Sequence, residues 1–111
     1  MSTENNKIIA EFMWWKEQEE DFMFNPKTSG SIYIKSLLFH KDWNWLMEVV
    51  EKIESLGNYI NITGTYTSIG AIEQKNRLFF IEKDSLNNKI EAVYKAVVEF
   101  IKWYNKNAVK S

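Results

Sequence analysis

The chain contains no cysteine. This excludes disulfide staples, thiolate catalysis and zinc or iron–sulfur sites built on sulfur. There is one proline, Pro26, and the four glycines, Gly30, Gly57, Gly64 and Gly70, are too dispersed to form GxGxxG or GxxxxGK[ST], so no phosphate-cradling loop is encoded. The single histidine, His40, lacks the HxH or HExxH spacing of a metal site. No apolar run approaches the roughly eighteen residues that read as a membrane span. Neither sign of charge dominates: 14 basic and 15 acidic side chains leave a net charge of −1, which removes any whole-chain attraction to nucleic acid or anionic lipid. The opening MSTENN is polar and partly acidic rather than basic and then apolar. No signal peptide is read there, no membrane association is expected, and the expected location is cytoplasmic.

What the chain has is apolar bulk. With 45% hydrophobic and 15% aromatic residues among 111, it supports one core, and residues 1–111 are read as a single domain.

The clearest pattern lies in Leu86 to Tyr104. Ile90, Val93, Tyr94, Val97, Val98, Ile101 and Tyr104 recur at helical spacing on one face, while Lys89, Glu91, Lys95, Glu99 and Lys102 fill the other turns. This predicts a core-facing amphipathic helix, capped by Asp84-Ser85. A second helix is predicted over Asp42 to Leu56, with Asp42 as N-cap and Gly57 at a left-handed stop. Trp43, Leu46, Met47, Val50 and Ile53 form its expected stripe, with Trp45 on the flank beside Val49 and Leu56. A first helix is expected to run to about Lys16, turning Ile8, Ile9, Phe12, Met13 and Trp15 inward. Successive helical residues point about 100° apart, so Trp14 and Trp15 cannot both face one core.

Residues 16–31 read as a loop. They carry the carboxylates Glu17, Glu19, Glu20 and Asp21, read as a solvated surface, an apolar insert at Phe22-Met23-Phe24, and the turn chemistry of Asn25-Pro26 and Ser29-Gly30-Ser31. A short strand is expected within Ile32 to Phe39. Tyr59 to Lys83 is dense in Ile, Thr, Tyr and Phe and predicts strand pairing. Ile60, Ile62 and Tyr66 share one parity, and a bend is expected at Ser68 to Gly70. Gln74-Lys75-Asn76 reads as a hairpin turn into RLFFIEK, a strand apolar on both faces and so expected to be central or covered. The fold class expected is α+β: a layered domain with a small antiparallel sheet packed by three helices, in the order α-(β)-α-β-β-α.

Three blocks carry a family resemblance: NKIIAEFMWWK, HKDWNWLMEVVEKIESLGNYINI and NNKIEAVYKAVVEFIKWYN. They resemble small uncharacterised proteins of bacteriophages and Bacteroidetes prophages, similar in layout to the phage α-β-α sandwich (ABA) domain. The resemblance implies a sandwich fold, a phage or prophage origin and a bacterial host cell as setting. It carries no activity. Residues 17–35 lie outside it.

Function is therefore weighed on side chains. One of Trp14 and Trp15, with Trp45, Phe100 and Trp103, lies off the main stripes and Phe22 and Phe24 fall in the loop, an excess of the residue types that anchor interfaces. On the last helix Ala96, Phe100, Trp103 and Asn107 make a second line suited to a homodimer or a host-protein contact. The reading is a non-enzymatic protein-interaction module with no cofactor or metal, binding itself or a host factor, with inhibition of host defence as one use. Against it stands an aromatic-rich core that consumes these rings. One alternative is single-stranded nucleic-acid binding through Tyr59, Tyr66, Phe79, Lys75 and Arg77, weakened by balanced charge. The other is a small enzyme with His40 as a general base oriented by Asp42, although no nucleophile is placed beside it.

Overall fold

The computed structural model describes residues 2–18, 21–71, 80–85 and 88–108. It is an α+β domain of three helices and two antiparallel three-stranded sheets. In chain order these are α1 (Ser2–Phe12), β1 (Lys16–Gln18), β2 (Phe22–Asn25), β3 (Gly30–Tyr33), α2 (Trp43–Ser55), β4 (Asn58–Thr63), β5 (Tyr66–Ala71), β6 (Phe80–Asp84) and α3 (Lys89–Ala108). A 3-10 turn, Ile34–Ser36, follows β3.

The long helix is buried on more than its stripe. Val93, Tyr94, Val97, Val98 and Ile101 are buried as the periodicity predicts, yet Ala92, Ala96 and Phe100 are buried too. Between Ala92 and Ile101 only Lys95 and Glu99 are exposed. The reason is that α3 meets β5 and β6 on one side and α1 on another. Phe12 of α1 contacts Phe100 and Tyr104 edge-on, at centroid separations of 6.2 and 5.5 Å. The N-cap of α3 is Asn88, whose Oδ1 accepts from Glu91 N–H at 2.9 Å, rather than Asp84-Ser85. Ser85 still braces that end, since its hydroxyl donates to Glu91 at 2.6 Å.

Within residues 16–31, expected to be loop, lie most of the strands of the first sheet, Lys16–Gln18, Phe22–Asn25 and Gly30–Tyr33, in the order β1-β2-β3, while Glu19 and Glu20 lie outside the described residues. The turn chemistry at Asn25 to Ser29 serves a β2–β3 hairpin. Asn25 Oδ1 accepts from Lys27 N–H at 2.9 Å, Asn25 C=O accepts from Ser29 N–H at 2.8 Å, and Ser29 takes φ +60. Met23 pairs with Ile32 on the inner face, and Met23 is sealed in the core. Phe22 and Tyr33 stack on the outer face at 4.3 Å. The strand expected within Ile32 to Phe39 ends at Tyr33, where the chain enters the 3-10 turn.

α2 starts where expected, with Asp42 Oδ1 accepting from Asn44 N–H at 2.9 Å, and ends before Gly57 at φ +96. Its buried stripe is Leu46, Val49, Val50 and Ile53, so Trp43 is rotated outward to 38% exposure.

The second sheet has the order β4-β5-β6. The segment read as one bent strand from Tyr59 onward is a hairpin, because Gly64-Thr65 forms a two-residue turn with φ +58 at Gly64. The pairing from Asn58↔Ala71 to Thr63↔Tyr66 is unbroken, so no bulge occurs at Ser68 to Gly70. Gly70 is needed for a different reason: a Cβ there would meet the Tyr59 hydroxyl at 2.6 Å. The turn also moves Tyr66 onto the face opposite Ile60 and Ile62. β5 is the central strand and β6 is paired on one side only among the described residues. Gln74-Lys75-Asn76 lies outside the described residues.

Buried residues from all three helices and both sheets join one cluster, including Ile9, Met23, Leu46, Ile69 and Val97. On β5, the Thr67 hydroxyl has no hydrogen-bond partner among the described residues, although Thr67 is fully buried. Replacing it by the isosteric valine removes that desolvated group. Thr67→Val is expected to stabilise the fold by about 1 kcal/mol and raise the Tm by roughly 4 °C, measured by thermal unfolding. An unchanged or lower Tm would show that the hydroxyl is paired in solution.

Candidate functional site

The sharp end of α1 decides where the tryptophans go. Trp15 N–H donates to Ala10 C=O at 2.9 Å and Trp14 N–H to Glu11 C=O at 3.0 Å, the two bonds of a Schellman stop. Trp14 occupies the left-handed position with φ +71, where glycine is usual. The helix therefore ends at Phe12 instead of running to Lys16, and the reversal sends Trp15 inward and Trp14 outward.

Trp14 is 73% exposed. Its ring lies 3.6 Å from the Lys52 ammonium, which also sits 4.5 Å from the Phe12 ring and donates to Phe12 C=O. Lys52 thus caps α1 from α2, a cation placed on the negative end of a helix. Burial lowers its pKa.

Trp15, Phe39 and Trp45 converge. Their centroids are 5.1 to 6.1 Å apart and their planes are inclined by 46 to 77°, a corner rather than a stack. Phe39 is the sealed floor, and Trp15 and Trp45 are half-buried walls. They bound a half-open cleft of about 450 Å³ between α2 and the β2–β3 hairpin, completed by Ile32 and the polar residues Asn25, Asn44 and Glu48. Cavities of this size with an aromatic lining and a few polar groups are typical binding sites.

One wall of the cleft is a sheet edge. Ile34 N–H donates to Asp21 C=O at 2.8 Å, which makes 21↔34 a hydrogen-bonded pair and, by alternation along the β2–β3 register, leaves Ser31 and Tyr33 as non-bonded pairs. Their main-chain N–H and C=O groups point away from β2, toward the open side. Both residues are exposed.

The other sequence-derived candidates are scattered. Phe22 and Phe24 are half-buried on the outer face of the first sheet. Phe100 is 1% exposed, sealed by α1, and is not available as a docking residue; the reason the second line of α3 looked external is that nothing local in the sequence announces α1 crossing it. Trp103 is half-buried against Phe100, at 6.0 Å. Phe39 was not singled out from the sequence. The signal available was its place three residues before the cap of α2.

The nucleic-acid candidates fare differently. Tyr66 is 37% exposed, but a hydrogen bond to Glu82, with burial and the charges of Glu82 and Asp84, pushes its pKa up to about 12. Carboxylates beside the ring repel phosphate. Phe79, Lys75 and Arg77 lie outside the described residues.

His40 belongs to a polar cluster. The amide of Asn6, 2% exposed, donates to Leu37 C=O at 3.1 Å and lies 2.9 Å from His40 Nδ1, while its carbonyl accepts from Tyr94 O–H at 2.9 Å. The Leu37 carbonyl can only accept, so the Asn6 nitrogen faces it, and His40 Nδ1 must then accept, which places the ring proton on Nε2. Asp42 instead caps Asn44, so the expected orientation of His40 by Asp42 is not formed. Burial, aided by Lys41, lowers the His40 pKa, and burial pushes Tyr94 up to about 12. Among the described residues no group of three His, Asp or Glu side chains is placed to hold a metal, and no helix is long and apolar enough to cross a membrane.

Two outcomes follow from this geometry. The left-handed backbone at Trp14 costs about 1–2 kcal/mol, against about 0.5–1 kcal/mol from an exposed cation–π contact. Trp14→Gly is therefore expected to leave stability to denaturant unchanged or higher by up to about 1 kcal/mol; a clear loss would make Trp14 structural. For His40, a folded pKa below the ordinary 6.5 means that its contribution is complete above that value and is lost as pH falls through the folded pKa. Denaturation at pH 7.5 and pH 5 should show the wild type losing more stability than His40→Gln, and parallel losses would refute the coupling.

No protein-family model, no curated protein and no solved structure matches the chain.

Proposed function

We propose that the chain works without catalysing a reaction, by seating an extended segment of a partner protein along β3 and over the aromatic cleft. The observation that carries this reading is the meeting of a strand edge with no strand partner among the described residues, at Ser31 and Tyr33, with a corner of three rings at Trp15, Phe39 and Trp45. Strand addition uses the two together: edge amides and carbonyls hold the incoming backbone, and a pocket selects alternate side chains. Half-buried aromatic walls are also the kind of surface on which binding energy concentrates.

A phage-type accessory protein directed at a host factor fits the sequence resemblance, and such a factor, including one of host defence, is the partner class we favour. A second copy of this chain is the competing occupant, since β3 edges from two copies can pair about a twofold axis. Trp14, displayed beside the same helix end at a conformational cost, is a second anchor for either partner.

The test is capture from a bacterial host lysate, with light scattering of the purified chain. The wild type should retain a specific protein. Asn44→Trp, which plugs the rim from an exposed position, and Trp45→Ala should weaken capture by about tenfold or more. Tyr33→Ser, on the outer face of the sheet, should keep it, with circular dichroism unchanged in all three. Undiminished capture by Asn44→Trp would remove the cleft from the interaction, and a concentration-dependent dimer broken by the same variant would assign the site to self-association.

A further inference from the structure

We propose that the side chain received by this cleft is cationic, an arginine or lysine on the extended segment of the partner; this rests on the cleft being the docking site.

Three features define the ligand chemistry. The first is the ring arrangement: planes inclined by 46 to 77° present a notch in which a cation touches more than one π-system, whereas a parallel stack would bury those faces against each other. The second is charge. Glu48 is the one lining residue that ionises, and no lysine or arginine among the described residues lines the cleft or forms an ion pair with Glu48. A single exposed carboxylate at the mouth of an aromatic pocket favours a positive occupant and disfavours a negative one. The third is the polar rim, where the amides of Asn25 and Asn44 stand beside the aromatic walls. The Asn44 carbonyl oxygen suits the N–H groups of a guanidinium or ammonium, and Asn25 Oδ1, which already accepts from Lys27 N–H, keeps a second lone pair for the same use.

The chain already uses this chemistry once internally. Lys52 lies over Trp14 and Phe12 and donates to a carbonyl oxygen. In that pocket the cation comes from the chain itself. In the cleft the rings, the carboxylate and the amide oxygens are assembled without one among the described residues. The reach also agrees: a strand added at the β3 edge places alternate side chains on the face that carries Ile32, the face that lines the cleft.

The experiment is an NMR titration of the ¹⁵N-labelled chain with acetyl-Thr-Arg-Thr-amide, with the same peptide carrying citrulline, and with norleucine in place of arginine. The indole N–H signals of Trp15 and Trp45 report the cleft. The arginine peptide should shift both and bind about fivefold or more tightly than either neutral peptide. Raising salt or introducing Glu48→Gln, an exposed change on α2, should erase most of that preference while the Trp14 signal stays fixed. Equal binding of the norleucine or citrulline peptide would overturn the cationic assignment yet leave the cleft as a docking site. Shifts confined to other residues, or none with any peptide, would overturn it as well. Failure of the docking reading itself appears elsewhere, as partner capture that Asn44→Trp does not weaken, so the two failures are separable.

Discussion

The structure depends on one helix being enclosed from several sides at once. α3 buries Ala92, Val93, Ala96, Val97, Val98, Phe100 and Ile101 within three turns. Each large apolar side chain so buried contributes on the order of 1.5–3 kcal/mol before conformational entropy is subtracted. A helix of this kind cannot be stabilised by a single sheet, because one sheet covers one stripe. The second sheet supplies β5 and β6 on one side, and α1 must close another. That requirement fixes where α1 lies, and the Asn6 amide fixes its register. A buried amide that satisfies Tyr94, Leu37 and His40 together tolerates little sliding, since a displacement of one residue would strand several desolvated polar groups.

The position of α1 then has consequences at its far end. Its axis must stop short so that the chain can turn back into the first sheet, and the Schellman geometry provides the stop. Placing tryptophan rather than glycine at the left-handed position is a local conflict between backbone preference and side chain. Lys52 partly offsets it by covering the ring and the Phe12 carbonyl at the end of α1. The residue after the conflict, Trp15, is delivered to Phe39 and Trp45. The cleft is thus a by-product of ending α1 abruptly, and its walls come from elements far apart in sequence.

Which parts were legible follows from the range of the interactions involved. The stripe of α3, the start of α2 at Asp42 and its end at Gly57 are set by residues within a few positions of one another, and those patterns read correctly. The first sheet was not legible because its strands are three or four residues long, too short for alternation to stand out, and its turn residues look the same whether they join strands or form a loop. The Gly64-Thr65 turn was hidden within a continuous β-favouring run, and missing it put Tyr66 on the wrong face. Phe100 was misplaced for a tertiary reason: burial by α1 is decided by a segment nearly ninety positions earlier, near Phe12. The line Ala96, Phe100, Trp103 did hold information, since small and aromatic residues beside an already apolar stripe also describe a helix covered on two sides. Of the interaction candidates, Trp15 and Trp45 were nameable as types, but their convergence on Phe39 depends on where the Schellman stop aims the chain.

Burial finally divides the aromatic residues by what each is able to do. A ring sealed on all sides, such as Phe100, has spent its contact surface on the fold and gains nothing from a ligand. A ring fully outside with no neighbour would bind weakly, because nothing holds it in one orientation and ordering it opposes association. Trp15 and Trp45 fall between these limits: each is held by the other and by Phe39, and each keeps part of its surface open to the cleft. Their orientation is settled during folding, so a partner would meet walls already in place and lose little conformational entropy in using them. The same logic applies to β3, whose inner side chain Ile32 is fixed against the core while no strand among the described residues pairs with the main-chain groups of Ser31 and Tyr33 along the edge. Preorganised backbone and preorganised rings within one cleft are what distinguish this region from the exposed Trp14, whose ring Lys52 already covers, and from the stacked Phe22 and Tyr33 on the opposite face.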